Sequence, residues 1–303
     1  MGDRRKSGMR LNDRQTDGYI LVSVLVVIAV AAGLVSSILL LGRSSIDSLE
    51  TTGKEIREKA LLDSATAIVG FELTQLKRPW REVDGQQLRL DGGEVLVRVE
   101  STEGKVDLNA SGKTLLAAAY RAAGLSRLVP EEFADRVIDW RDGDDEPRRL
   151  GAETSASLDA GASTRPRNGD FRSLADLSSV LGVEPADLEQ LRPFVTVFNP
   201  NGRISPLLAS EALLAQLPGV TAQSMKDIAA ARRAGENGIA DLANLLLVQS
   251  ALITLTPPQT FDVTITVNTG LERGQRRANL VLSADPNNLQ PFRTLFWAWS
   301  SSP

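Results

Sequence analysis

The chain has 303 residues, a net charge of −4, and neither cysteine nor histidine. Those two absences exclude disulfides, thiolate and imidazole chemistry and nearly every zinc site, so any bound metal must be held by oxygen. With 42% hydrophobic and 24% charged residues the chain is globular, large enough for one large domain or two modest ones, and its mild acidity gives no broad attraction to nucleic acid.

Residues 1–18 form a polar leader with five basic and three acidic side chains, and residues 19–42 carry no charge at all. At a helical rise of about 1.5 Å per residue the uncharged run spans about 36 Å, against roughly 30 Å of bilayer hydrocarbon. The apolar core of a secretory signal is only ~7–15 residues long, so the run reads as a membrane span. The basic leader places the N-terminus in the cytoplasm and the rest of the chain on the far side. No linker follows the span. Ile46, Leu49, Ile56, Ala60, Leu61, Ser64, Ile68, Phe71 and Leu76 recur at helical spacing, and strong breakers are nearly absent until Pro79. One helix is expected over residues 19–77, half in lipid and half amphipathic against a soluble domain.

A hairpin comes next. Leu88 and Leu90 lead into a turn at Asp91-Gly92-Gly93, and Val95, Val97 and Val99 then alternate with polar residues, the pattern of a half-buried strand. The stretch KVDLN, residues 105–109, reads as its extension. Between residues 109 and 255 strand signals almost vanish. SGKTLLAAAYRAAGL, PEEFADRVIDWRD, RSLADLSSVLG, EPADLEQLRPFVTVF, ASEALLAQLPG and AQSMKDIAAARRAG read as short helices, each ended by Gly or Pro. Strands return at residues 261–268, 276–284 and 291–300. In the last, Phe292, Leu295, Trp297 and Trp299 fall near alternation; Trp297 and Trp299 are expected to pack on the long helix, a binding surface being the other reading. Strands before and after the helical section must meet in one sheet. The divisions are 1–18 (leader), 19–42 (membrane half of the helix), 43–108 (first part of the body), 109–255 (inserted helical domain) and 256–303 (second part of the body).

Two stretches invite a chemical reading. DWRDGDDEP, residues 139–147, gathers Asp139, Asp142, Asp144, Asp145 and Glu146, with Glu153 following. So many carboxylates repel one another unless arginines or a cation neutralise them. A solvated loop paired with Arg141, Arg148 and Arg149 is one reading, and a calcium site is the other. The spacing is not that of an EF-hand. LPGVTAQSMKDIAAAR, residues 217–232, resembles the second half of a helix-hairpin-helix, and VLGVEPADLEQLRPF, residues 180–194, echoes it. Phosphate binding would want basic residues there, yet only Lys226 lies near the first and Glu184 and Asp187 flank the second. Both read as structural helix pairs. No nucleophile–base pair, Walker loop or dinucleotide turn is present, so the chain is not read as an enzyme.

The leader ending at Gly18, the aromatic Tyr19, the span running into an amphipathic helix and the inserted helical section together resemble the K-type minor pseudopilins of type II secretion. GKVDLN, FADRVIDWRDGDDEPRRLGAE, RPRNGDFRSLADLSSVLGV, LEQLRPFVTVF and LLAQLPGVTAQSMKDIAAAR are similar to blocks of that family. One departure is ISPLLAS, residues 204–210, where the family often has INVNTA. The resemblance implies an α+β fold: a pilin-like long N-terminal helix on an antiparallel sheet, with a large all-α domain of two helix-hairpin-helix or SAM-like units inserted between strands. It implies cleavage after Gly18 by a prepilin peptidase and methylation of Tyr19. Ser23 stands where most pilins carry Glu, which the resemblance ties to a place at the fibre tip. It further implies I-type and J-type minor pseudopilins as partners, no nucleic acid, and a single pass through the bacterial inner membrane with the soluble part in the periplasm. It also implies calcium, Ca2+, with Asp142, Asp144, Asp145 and Glu153 as ligands and Asp139 as a further candidate. Two rival readings are a membrane-anchored helix-hairpin-helix DNA-binding protein of natural competence, and a single-span anchor carrying an unrelated periplasmic domain.

Overall fold

Helix α1, Arg14–Thr74, is the first element of this computed structural model. The structure describes residues 14–144, 146–152, 167–234, 242, 251–270, 275–287 and 289–300, with the side chains of 14–21 and 38–51 outside that description. The chain divides into two units, Met1–Ala60 and Leu61–Pro303. In the first, residues 22–37 are uncharged and Val22, Leu25, Val27, Ile28 and Leu34 are all exposed. Among the described residues no helix is long and apolar enough to cross a membrane, and the expected 19–42 span falls partly outside them. Helix α1 stops three residues short of the expected Lys77. There Gln75 and Leu76 N–H both return to Phe71 O, and Lys77 turns the chain in the left-handed region at φ 50°.

In the second unit, α1 presents Leu61, Leu62, Ala65, Val69 and Leu73, at helical spacing, to a buried cluster shared with a five-stranded sheet. After the short α2 (Trp80–Val83), the strands are β1 (Gln87–Leu90), β2 (Gly93–Ser101), β5 (Thr260–Asn268), β6 (Arg276–Ser283) and β7 (Arg293–Ser300), in the order β1-β2-β5-β6-β7 and all antiparallel. Register stacks the apolar positions into rows across the sheet. Val97, Ile265, Ala278 and Trp299 form one row, and Val99, Val263, Leu280 and Trp297 another. Gly70 of α1 is a contact and not a defect: a Cβ there would lie 2.5 Å from the Phe292 ring. The strands before and after the helical section do meet, since β2 pairs with β5 and residues 102–259 lie between them.

The chain leaves the sheet earlier than the alternation suggests. Ser101 Oγ accepts from Glu103 N at 3.2 Å and opens a 3-10 turn, Thr102–Gly104. KVDLN therefore does not extend β2. Its β3 (Val106–Asp107) pairs in parallel with β4 (Val195–Thr196) as a separate two-stranded sheet. Around that pair lie α3 (Lys113–Ala122), α4 (Pro130–Arg141), the 3-10 segment Leu174–Ser179, α5 (Pro185–Leu191), α6 (Glu211–Leu214) and α7 (Ala222–Ala234). They close a second apolar cluster that includes Leu116, Tyr120, Phe133, Val137, Leu177 and Leu213. RSLADLSSVLG is thus 3-10 and not α-helix, and the end of EPADLEQLRPFVTVF is strand. Of the expected packing residues in β7, Trp299 packs on the core but Trp297 is 46% exposed. The reason is position: β7 is the last strand. A register shift at Val281/Leu282 also leaves Leu295 without a cross-strand partner.

Candidate functional site

Helix α4 sets up the acidic loop. Pro130 begins it, and Glu132 Oε2 reaches back to accept from Val129 N at 3.3 Å. Its buried face carries Phe133, Ala134, Val137 and Trp140, at helical spacing, and with them Asp135 and Asp139. Phe133 stacks on Tyr120 at 4.7 Å, and Trp140 lies 6.0 Å from Phe171. Both buried carboxylates are paired: Asp135 with Lys113 Nζ at 2.6 Å, Asp139 with Arg148 at 2.7 Å. Removing either partner would leave a buried charge uncompensated, which is costly.

Arg148 closes the loop that follows. Its backbone N–H donates to Asp139 Oδ2 at 3.1 Å, and its guanidinium donates to Asp139 Oδ1 and to Asp142 Oδ2. Burial works against its charge, but the bonds to the two aspartates outweigh that and raise its pKa. Gly151 lies so close to Asp139 that a Cβ would come 1.7 Å from Oδ2. Asp144 is exposed and accepts from Glu146 N at 3.0 Å, and its own carbonyl accepts from Asn168 Nδ2 at 3.4 Å. Asp142 Oδ1 is buried with no hydrogen-bond partner among the described residues.

Asp139 and Asp142 are therefore brought together, and Asp144 sits two residues beyond them. Asp145 and Glu153 lie outside the described residues. Among the described residues no group of three or more carboxylates is placed to hold a metal ion. The donor set is all oxygen, which suits a hard cation. Asp142 Oδ1 is a buried oxygen of the described part of the loop without a hydrogen-bond partner there, while both Asp139 oxygens are taken.

A polar hub that the sequence reading passed over lies beside this loop. Asp107 Oδ1 accepts from Asn109 N at 2.7 Å and Ala110 N at 2.9 Å, and Oδ2 accepts from Asn199 N at 2.6 Å. Asn199 Nδ2 donates to Lys105 O and Arg203 O. Arg141 donates to Leu108 O and Ser111 O. Burial raises the Asp107 pKa, against the pull of those N–H groups and of Arg141. Gly202, at φ 63°, is pressed so close to Ala110 O that a Cβ would stand 2.4 Å away. The local signals were the Asx turn in VDLN and the NPNG turn. Their meeting across 92 residues has no local signal.

The two hairpin-like turns share a geometry. Gly182 (φ 82°) and Gly219 (φ 75°) are both left-handed, and Val183 N–H and Val220 N–H return to Val180 O and Leu217 O. Arg127 pairs with Glu184 at 2.8 Å, and Arg136 donates to Leu181 O at 2.6 Å, so cations near the first turn are engaged within the fold.

A helix packed on an antiparallel sheet, with a largely helical section between neighbouring strands β2 and β5, is an α+β arrangement. A sequence profile described as Type II secretion system (T2SS), protein K matches residues 96–201. The Type II secretion system protein K of Pseudomonas aeruginosa is 26% identical over 248 residues, 72% of this chain and 73% of that protein. A chain of the crystal structure of the GspK-GspI-GspJ complex from enterotoxigenic Escherichia coli Type 2 Secretion System superposes with a TM-score of 0.62 and 16% identity. It covers 84% of this chain and 100% of its own. Over these stretches the chain is similar to type II secretion system protein K.

Proposed function

We propose that this protein is the minor pseudopilin that ends the periplasmic fibre of a type II secretion system, bound there to I-type and J-type minor pseudopilins. One observation carries the reading: a large helical head, residues 102–259, emerges between two hydrogen-bonded neighbours of a pilin sheet. A head of that bulk obstructs stacking of a further subunit above it. Two subunits of this kind, GspI and GspJ, stand with GspK in the related complex.

In this reading residues 1–18 are a leader removed after Gly18, and Tyr19 becomes the methylated N-terminus. Residues 19–42 cross the inner membrane, the uncharged and exposed stretch 22–37 being its described part. The sheet body is 43–101 with 260–303, and the insertion, expected at 109–255, is residues 102–259, with two helix-hairpin-helix units centred on Gly182 and Gly219. Mass spectrometry of the protein from cells holding a prepilin peptidase tests the processing: a methylated Tyr19 is expected, and an intact leader overturns it. Mixing the full chain in detergent with I-type and J-type subunits should give a ternary complex. Failure to form one overturns the tip role.

The same reading includes calcium in the loop after α4, held by Asp142, Asp144, Asp145 and Glu153. Asp139 joins only if Arg148 releases it. Support comes from the unpartnered Asp142 Oδ1 and from the density of carboxylates beside it. Calorimetric titration with calcium should show binding that is lost in Asp144→Ala/Asp145→Ala. Unchanged affinity in that variant removes those ligands from the site.

A further inference from the structure

The two edges of the sheet differ in kind. β1 has four residues and its exposed side chains are Gln87 and Arg89, the latter paired with Glu94 at 3.2 Å. β7 has eight residues and no charge after Arg293, and Leu295, Phe296 and Trp297 are 43%, 38% and 46% exposed. As the last strand in the order, its outer side offers backbone N–H and C=O groups that no strand pairs among the described residues. Folds blunt such an edge with brevity, charge, proline or a cover. β1 uses the first two; β7 has a register shift opposite Val281/Leu282 and Arg293 at its start, but neither brevity nor proline nor any charge over Thr294–Ser300.

Both faces of β7 are apolar. Trp297 and Trp299 meet edge to face at 5.7 Å in the rows that end on the helix-packed side, and Phe296 lies 6.0 Å from Phe198 on the other. A strand laid alongside would find an aromatic neighbour on either face. The charges at its two ends have one sign. Arg293 opens the strand, Arg277 faces Ser300 at its close, and Arg276 stacks over Trp299 at 4.3 Å. Asp285, which acts on Arg293, is only 8% exposed and is committed to the N–H groups of Asn287, Leu289 and Gln290. An antiparallel second copy would set each Arg293 beside the Arg277 end of the other chain, like charge on like charge.

We propose that the outer edge of β7 is a strand-addition site for an extended segment of a different protein, apolar at alternate positions and carrying carboxylates at its ends. Eight residues make a strand of about 26 Å. That contact is far short of the ~800 Å² per partner of a stable interface, so the complex is weak and sensitive to salt.

The test uses the full chain in detergent micelles and a capped synthetic peptide of alternating Val and Thr with Glu at both ends. Hydrogen exchange of the β7 amides should slow as peptide is added. Replacing the two Glu by Lys should weaken binding about tenfold, and N-methylation of alternate peptide amides should abolish it. Arg293→Glu, at an exposed side chain, should reverse the preference between the two peptides. Three results overturn the proposal: no slowing at millimolar peptide, equal binding of the Lys and Glu peptides, or binding that survives N-methylation. β7 protection without peptide, together with a concentration-dependent dimer, would make a second copy the occupant and overturn it too.

Discussion

The sheet body and the helical head are held together by different means. In the body, α1 and the five-stranded sheet bury Val97, Val99, Val263, Ile265 and Leu280 in rows, and the ladder satisfies the backbone. The head is built from helices of 4 to 13 residues, too short to be stable alone. Their ends and the irregular chain between them leave backbone N–H groups without ladder partners. Buried carboxylates take that part: Asp107 on three N–H groups, Asp139 on Arg148 N, and Asp187 on Glu184 N at 2.9 Å. A region with little regular structure becomes a fixed shape by exchanging apolar area for charge-assisted bonds.

The comparison breaks first at Asp107. Asp107→Ala strips three backbone N–H groups of their acceptor and leaves Arg141 beside an emptied hub. A loss of about 4 kcal/mol is expected, from three charge-assisted bonds offset by relaxation and water entry. Denaturant unfolding should show it. A loss under about 1 kcal/mol would mean that the head rests on its apolar cluster after all. Ile265→Ala in the sheet row should cost about 3 kcal/mol, the price of a buried cavity among β-branched neighbours. If Ile265→Ala costs more than Asp107→Ala, the contrast between the two regions is reversed. Gly151→Ala should cost about 2 kcal/mol, because its Cβ collides with a carboxylate that Arg148 holds on both oxygens. In Asp139→Ala the same substitution should cost much less, and additive losses would disprove the contact.

Much of the body was readable from the chain because its information is local. Alternation at Val95, Val97 and Val99 and in residues 261–268 fixes which side chains face the helix. The helix face itself was misplaced: of the expected set Leu61 is buried, but Ile56, Phe71 and Leu76 are exposed, and Leu62, Ala65, Val69 and Leu73 meet the sheet instead. The left-handed turns at Gly182 and Gly219 were readable from their glycines. The head's hub was not. Asp107 and Asn199 are ordinary turn residues until folding joins them, and Gly151 looks like any loop glycine until Asp139 is placed against it. The acidic loop was legible as a choice between arginine and cation. Arg148 takes Asp139 and one oxygen of Asp142, while Asp145 and Glu153 lie outside the described residues. Trp297 was misjudged because alternation tells which face a residue shares, not whether its strand is the last one.

The smallest effect, and the sharpest on where the regions join, belongs to Glu103. It is 1% exposed, its Oε1 accepts from Gln259 N at 2.8 Å, and its carbonyl accepts from Ser205 N at 2.7 Å. It thus ties the chain leaving the sheet to the chain coming back. Burial raises its pKa from the ordinary 4.5, and the N–H groups of Gln259 and Thr260 only partly offset this. A raised folded pKa means that the folded state binds the proton more tightly than the unfolded chain. Its contribution is complete below the unfolded value and is lost as pH rises through the folded one. Glu103→Gln keeps an acceptor for Gln259 and removes the titration. Between pH 4.5 and neutrality the parent should therefore lose stability relative to Glu103→Gln. Asp107 and Asp262, also raised by burial, are present in both proteins and cancel in that difference. Denaturant curves at several pH values give the measurement. Parallel pH profiles would show that the Glu103 carboxylate is as well solvated in the fold as out of it, and that the joint is no tighter than the surface around it.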